Sequence, residues 1–168
     1  MCKLVISKLT TMFNVAFRVE DLEGMRDFVK QNLYLYIKEA LTYSTSMVLT
    51  LEGDLGVGKT TITSYLIDAL TDGEIKNATS PTFGILNKYK AKDGLVVNHY
   101  DLYRIKDESE LEEIGFYETL FDGLTIIEWP LVAKKYIQKH ENFDDSKFLG
   151  IKISILNPET IVRELRFF

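Results

Sequence analysis

Gly53-Asp54-Leu55-Gly56-Val57-Gly58-Lys59-Thr60 separates an apolar run, Met47-Val48-Leu49-Thr50-Leu51, from a segment carrying Ile62, Leu66, Ile67 and Leu70 at helical spacing. The glycines let successive backbone N–H groups turn inward, where side chains would keep phosphate oxygens at a distance. A helix opening near Lys59 aims the positive end of its dipole at the same point. The stretch is a full match to G-x-x-x-x-G-K-[ST], the P-loop. Gly53, Asp54, Leu55, Gly56, Val57, Gly58, Lys59, Thr60 and the following Thr61 are therefore expected to bind the phosphates of ATP. Lys59 should reach the β- and γ-phosphates, and the Thr60 hydroxyl should be a Mg2+ ligand. A chance match in a chain of this length is on the order of one in a hundred. The strand before it and the amphipathic helix after it reduce that further.

Outward from the loop, Met47 to Leu51 reads as a buried strand and Thr60 to Leu70 as a helix stopped by Thr71-Asp72-Gly73. Upstream, Asp21 can cap a helix whose apolar face is Leu22, Met25, Val29, Leu33, Ile37 and Leu41. Downstream, strands are expected at Phe83 to Lys90 and Leu95 to Tyr100, joined by Lys92-Asp93-Gly94. A broken helical region follows from Glu108 to Phe121, then a short apolar strand, Leu124-Thr125-Ile126-Ile127. Phe148 to Leu156 and Ile161 to Phe168 read as closing antiparallel strands. This order predicts an α/β P-loop NTPase, with a mainly parallel central sheet flanked by helices and closed by antiparallel strands. Residues 1–168 are expected to form one domain, with residues 1–12 an N-terminal extension whose role the sequence does not disclose.

Composition sets the outer limits. The chain has 168 residues, 46% hydrophobic and 27% charged, which is the balance of an ordinary globular protein. A net charge of −5 argues against independent nucleic-acid binding by the chain as a whole. The one cysteine, Cys2, excludes an internal disulfide and reads as an unpaired thiol in a reducing compartment. The first eight residues loosely imitate a signal peptide, but Lys8 interrupts the apolar run and nothing resembling a cleavage site follows. No run approaches the ~20 apolar residues of a membrane span. A cytoplasmic protein without membrane attachment is the expectation.

A phosphate cradle hydrolyses nothing without an acid near the metal and a group that positions water. Two strands run into carboxylates: Val96-Val97-Asn98-His99-Tyr100 into Asp101, and Leu124-Thr125-Ile126-Ile127 into Glu128. Ligands of open α/β sheets sit beyond the carboxyl ends of the strands, so both acids are well placed. Glu128 reads as the Walker-B acid that holds Mg2+ or its water; Asp101 reads as a metal-shell ligand or a water-orienting base. Ser80-Pro81-Thr82-Phe83 lies where P-loop switch segments sit, and Thr82 either senses the γ-phosphate or belongs to a plain Pro-bounded loop. His99 shares the face of Asp101 and reads as a structural histidine rather than a functional one. Trp129 is open to three readings: core, lid, or partner contact.

The P-loop with Thr61, then Ser80-Pro81-Thr82-Phe83, His99-Tyr100-Asp101-Leu102-Tyr103-Arg104 and Ile127-Glu128-Trp129-Pro130, in this order and at these separations, resembles the TsaE (YjeE) family. The resemblance covers about Asp21 to Pro130, and its four linked motifs make it specific. It implies a Mg2+-dependent ATPase of low intrinsic activity in tRNA threonylcarbamoyladenosine (t6A) synthesis, working with the TsaD and TsaB subunits. That complex transfers a threonylcarbamoyl group to an adenosine beside the anticodon of ANN-reading tRNAs, and ATP binding and hydrolysis by this subunit permit repeated turnover. The tRNA would be met only through the complex. Residue by residue, the resemblance gives Lys59 and Thr60 to the P-loop, Thr60 and Glu128 to Mg2+, and Asp101, with Lys59, to hydrolysis. Thr82 would lie in the switch-like segment and Trp129 beside the nucleotide.

The chain departs from the family pattern at Val57, usually alanine, and at Leu131, often Glu or Gln. Asp21-Leu22-Glu23-Gly24-Met25 lacks the threonine usual near the adenine, so no base-binding residue is assigned. The N-terminus is also longer than typical. Among rivals, a GTPase would need N-K-x-D, and Asn87-Lys88-Tyr89-Lys90 lacks the aspartate. A small-molecule or nucleotide kinase shares the fold but wants an arginine-bearing lid, and Arg104 is the only arginine between Arg26 and Arg163. A nucleotide-sensing adaptor is the third reading.

Overall fold

The computed structural model of the chain describes residues 15–81, 84–139, 147–157, 159 and 162–168. Cys2, the proposed extension of residues 1–12, and Thr82, Phe83 and Ile161 lie outside the described residues. The elements in order are β1 (Ala16–Val19), α1 (Leu22–Phe28), a π-helical segment (Val29–Leu33), α2 (Tyr34–Ala40), β2 (Ser46–Glu52), α3 (Lys59–Leu70), β3 (Leu86–Lys90) and β4 (Val96–Asp101). They continue with α4 (Glu108–Glu113), α5 (Phe116–Leu120), β5 (Gly123–Glu128), α6 (Leu131–Gln138), β6 (Phe148–Asn157) and β7 (Val162–Phe167).

All strands join one seven-stranded sheet in the order β1-β7-β6-β2-β5-β4-β3. The central pairings β6–β2, β2–β5 and β5–β4 are parallel. The edges are antiparallel: β1 on β7, β7 on β6, and the β3–β4 hairpin. The two closing strands do pair antiparallel with each other, while the other edge of β6 extends the parallel centre. This is the α/β architecture expected from the sequence.

Side-chain alternation in the central strands divides the core in two. Met47, Leu49 and Leu51 of β2 and Ile126 of β5 face the layer containing α1, α2 and α3. Val48 of β2 and Ile127 of β5 face α4, α5 and α6, packing with Leu111, Phe116, Leu120, Ala133 and Ile137. The short β2 run is therefore covered on both faces, which is why it is almost wholly apolar.

Asp21 caps α1 as expected, accepting from the Gly24 N–H at 2.7 Å. The helix face runs at four-residue steps from Met25 onward, which would drift about 40° per step around a regular α-helix. The π segment winds more residues into each turn and keeps Val29, Leu33 and Ile37 on one line, all fully buried. Leu22, placed on that face by the sequence, instead points to solvent. Two elements are additions to the sequence reading: β1, which extends the sheet beyond β7, and α6, whose Ala133, Tyr136 and Ile137 carry an i, i+3, i+4 signature.

Candidate functional site

The P-loop connects β2 to α3 at the carboxyl edge of the sheet. Gly53 has φ +143°, and a Cβ there would stand 2.5 Å from the Ile153 carbonyl oxygen of β6. Only glycine lets the loop pass that close to the sheet. Gly58, at φ +111°, forms the N-cap of α3. Val57, the departure from alanine, is buried in the core layer of α3. Its carbonyl accepts a 2.6 Å hydrogen bond from Arg163 Nε of β7. The start of β7 thus braces the loop, a contact across the whole fold that no local pattern announces.

Lys59 is 5% exposed and lies inside the loop mouth. Its Nζ donates to the Gly53 carbonyl at 2.9 Å and the Asp54 carbonyl at 2.8 Å. The same Nζ sits 3.7 Å from the centroid of the Trp129 ring, and that ring packs on Tyr103 at 4.8 Å. Burial pulls the Lys59 ammonium below the usual lysine range, while Glu128, Asp101 and Asp54 oppose that pull. Trp129 has φ +60°, an unfavourable conformation for a bulky side chain, and its N–H donates to the Leu51 carbonyl at 3.3 Å.

Register brings the two strand-end acids together. Asp101 pairs with Glu128 across the parallel β4–β5 ladder, so both carboxylates leave the same face at the same edge. Glu128 is 2% exposed, and its Oε2 accepts from Thr60 Oγ1 at 2.8 Å. Its Oε1 lies 2.9 Å from His99 Nε2 and 3.5 Å from Thr63 Oγ1. Asp101 accepts from the Tyr103 N–H at 3.1 Å and from the Ser80 hydroxyl. Ser80 is therefore tied to the end of β4 through Asp101. Leu131, by contrast, is 70% exposed at the start of α6.

The residues fit a nucleotide with its metal. The loop leads into the N-terminus of a twelve-residue helix, whose first N–H groups and dipole favour an anion. Thr60 and Glu128 supply two hard oxygen donors in mutual contact. Two protein donors are too few for a dedicated cage and suit Mg2+, which keeps waters and takes phosphate oxygens for the remainder. Arg163 and Thr63 enter this arrangement without any signal in the sequence, and His99, expected to be structural, is buried against Glu128. The sequence places His99 on the face of Asp101, but only the pairing of β4 with β5 brings it to Glu128.

Residues 24–159 match the family model described as threonylcarbamoyl adenosine biosynthesis protein TsaE. A Rickettsia felis protein named tRNA threonylcarbamoyladenosine biosynthesis protein TsaE is 42% identical over 87 residues, 52% of this chain and 50% of that one. The Bacillus subtilis protein of the same name is 45% identical over 84 residues, 49% of each chain. The Haemophilus influenzae protein of that name is 37% identical over 114 residues, 66% of this chain and 68% of that one. The matched region thus spans about half the length of the first two relatives. Among solved structures, Bacillus subtilis YdiB aligns with a TM-score of 0.59 and 27% identity, covering 92% of this chain and 84% of that one. No helix among the described residues is long and apolar enough to cross a membrane.

Proposed function

This chain belongs to the TsaE family, and from that membership we propose that it is a Mg2+-dependent P-loop ATPase of low intrinsic activity. We further propose that it supports t6A modification of tRNA alongside TsaD and TsaB in the cytoplasm, as one domain. What carries the reading is the convergence of Lys59, Thr60, Asp101 and Glu128 at one edge of the sheet. Thr60 and Glu128 are assigned to Mg2+, which when bound would screen the charge of the β- and γ-phosphates. The backbone from Gly53 to Thr60, with Thr61, cradles the phosphates, and the Lys59 ammonium exchanges its carbonyl partners for phosphate oxygens. Asp101 orients the attacking water. Trp129 lies beside the nucleotide, packed on the lysine. Thr82 is assigned to sensing the γ-phosphate, because Ser80, two residues earlier, is bonded to Asp101.

Calorimetric titration of the purified chain with ATP and with GTP, in Mg2+ and in EDTA, tests the binding part. Tighter binding of ATP than GTP, strengthened by Mg2+, is expected. Equal affinity for the two nucleotides counts against the proposal.

A further inference from the structure

The two oxygens of Glu128 have different company. Oε2 faces the P-loop threonine, whereas Oε1 is turned inward to His99 Nε2 at 2.9 Å. His99 is fully buried, and its Nδ1 has no hydrogen-bond partner among the described residues. That asymmetry selects the tautomer. With the proton on Nε2, the ring donates to the carboxylate and leaves only a bare lone pair at Nδ1. With the proton on Nδ1, a buried donor would be orphaned and a lone pair would face the carboxylate. The ring is held in place by β3 and β5: His99 is registered between Asn87 and Ile126, and the Tyr89 ring stacks on it at 6.5 Å and 26°.

Replacing His99 alone by an apolar side chain would leave a buried carboxylate oxygen without its one short donor. Thr63 offers that oxygen only a long 3.5 Å contact and already donates to the Lys59 carbonyl at 3.2 Å, so it is a poor substitute. We propose that His99 is a positioning residue that holds Glu128 by Oε1 and so keeps Oε2 directed at Thr60 and the metal position. This rests on the Mg2+-nucleotide reading above. The arrangement matches the general rule that groups behind a metal's ligands orient them, and that their loss costs 10–100-fold in metal affinity.

The test uses the full chain as wild type, His99→Leu and His99→Gln, titrated with ATP in Mg2+ and in EDTA. His99→Leu is expected to lose about tenfold of the affinity that Mg2+ adds, with its affinity in EDTA unchanged. His99→Gln can present an amide N–H to the same oxygen and should recover most of the loss. An undiminished Mg2+ effect in His99→Leu overturns the proposal, and so does a His99→Gln as impaired as His99→Leu. A second measurement needs no nucleotide. Nitrogen–proton NMR of the wild-type imidazole should show the Nε2–H tautomer, with that signal displaced in Glu128→Ala; an Nδ1–H tautomer overturns the proposal. Should the wild-type chain bind no ATP, the proposed function fails, and the ring measurement still decides whether His99 holds Glu128.

Discussion

Asp101 and Glu128 are register neighbours at the carboxyl ends of two parallel strands, yet their surroundings differ. Glu128 is bonded to the P-loop threonine and to a buried histidine, while Asp101 is bonded to the Ser80 hydroxyl and a backbone N–H. Under the proposed function, these two sets of partners give the two acids two tasks, Glu128 toward Mg2+ and Asp101 toward the attacking water.

Substitution separates those tasks. Glu128→Gln should weaken the Mg2+ dependence of ATP binding together with hydrolysis. Asp101→Asn should spare ATP binding and slow hydrolysis by about 10²-fold or more, the ordinary contribution of a group that directs proton transfer. Both constants, affinity and rate, are to be measured for each variant. Full activity in Asp101→Asn would leave Asp101 a structural residue that holds Ser80 and the Tyr103 N–H.

Lys59 is held by two carbonyls of its own loop and by the face of Trp129, just after β5. Lys59→Ala should remove a charge-assisted contact to phosphate of about 1.5–3 kcal/mol, a ten- to hundred-fold loss of ATP affinity. Because the loop carbonyls then lose their ammonium, circular dichroism of the variant is needed as a folding control. Unchanged affinity in a folded Lys59→Ala would remove the phosphate-binding role from this loop.

The glycines of the loop are not equivalent. A Cβ at Gly53 meets the Ile153 carbonyl at 2.5 Å, whereas one at Gly56 meets nothing within 4 Å. Gly53→Ala should therefore cost about 2 kcal/mol or more, lowering Tm by roughly 4–8 °C. Gly56→Ala should cost only the strain of its positive φ, and less than half as much. Thermal unfolding of both variants without nucleotide checks the order; equal losses would mean that the approach of the loop to β6 is not what fixes Gly53.

These loop features were legible because they are local. A strand, a glycine turn, a lysine and a helix occupy one contiguous stretch, and their chemistry is written in residue order. The strand-end acids were legible for the same reason, since an apolar run followed by a carboxylate needs no knowledge of the sheet. What escaped depends on which strands become neighbours. His99 and Glu128 meet because β4 and β5 are adjacent and in register, across 29 residues of chain. Arg163 reaches Val57 across 106 residues, because β6 and β7 fold back beside the P-loop strand. Strand β1 was missed because four residues at a sheet edge carry too short an alternation to be read.

The net charge of −5 argues against tight independent tRNA binding, so under the proposed function tRNA should be held by TsaD and TsaB, with this chain joining them in an ATP-dependent manner. A nucleotide can favour the joined state only through a difference in its hold on two conformations. The bond from Ser80 to Asp101 offers such a difference if Asp101 acts at the γ-phosphate as proposed. ATP should therefore support complex formation better than ADP, and both better than no nucleotide. Mixing the chain with cognate TsaD and TsaB, and following complex formation and t6A turnover in the three conditions, measures this. Lys59→Ala and Asp101→Asn should fail to sustain multiple turnovers while leaving a first turnover by the transferase intact. A wild-type chain that leaves those subunits' turnover unchanged, but phosphorylates a small acceptor, would instead be a kinase built on the same loop.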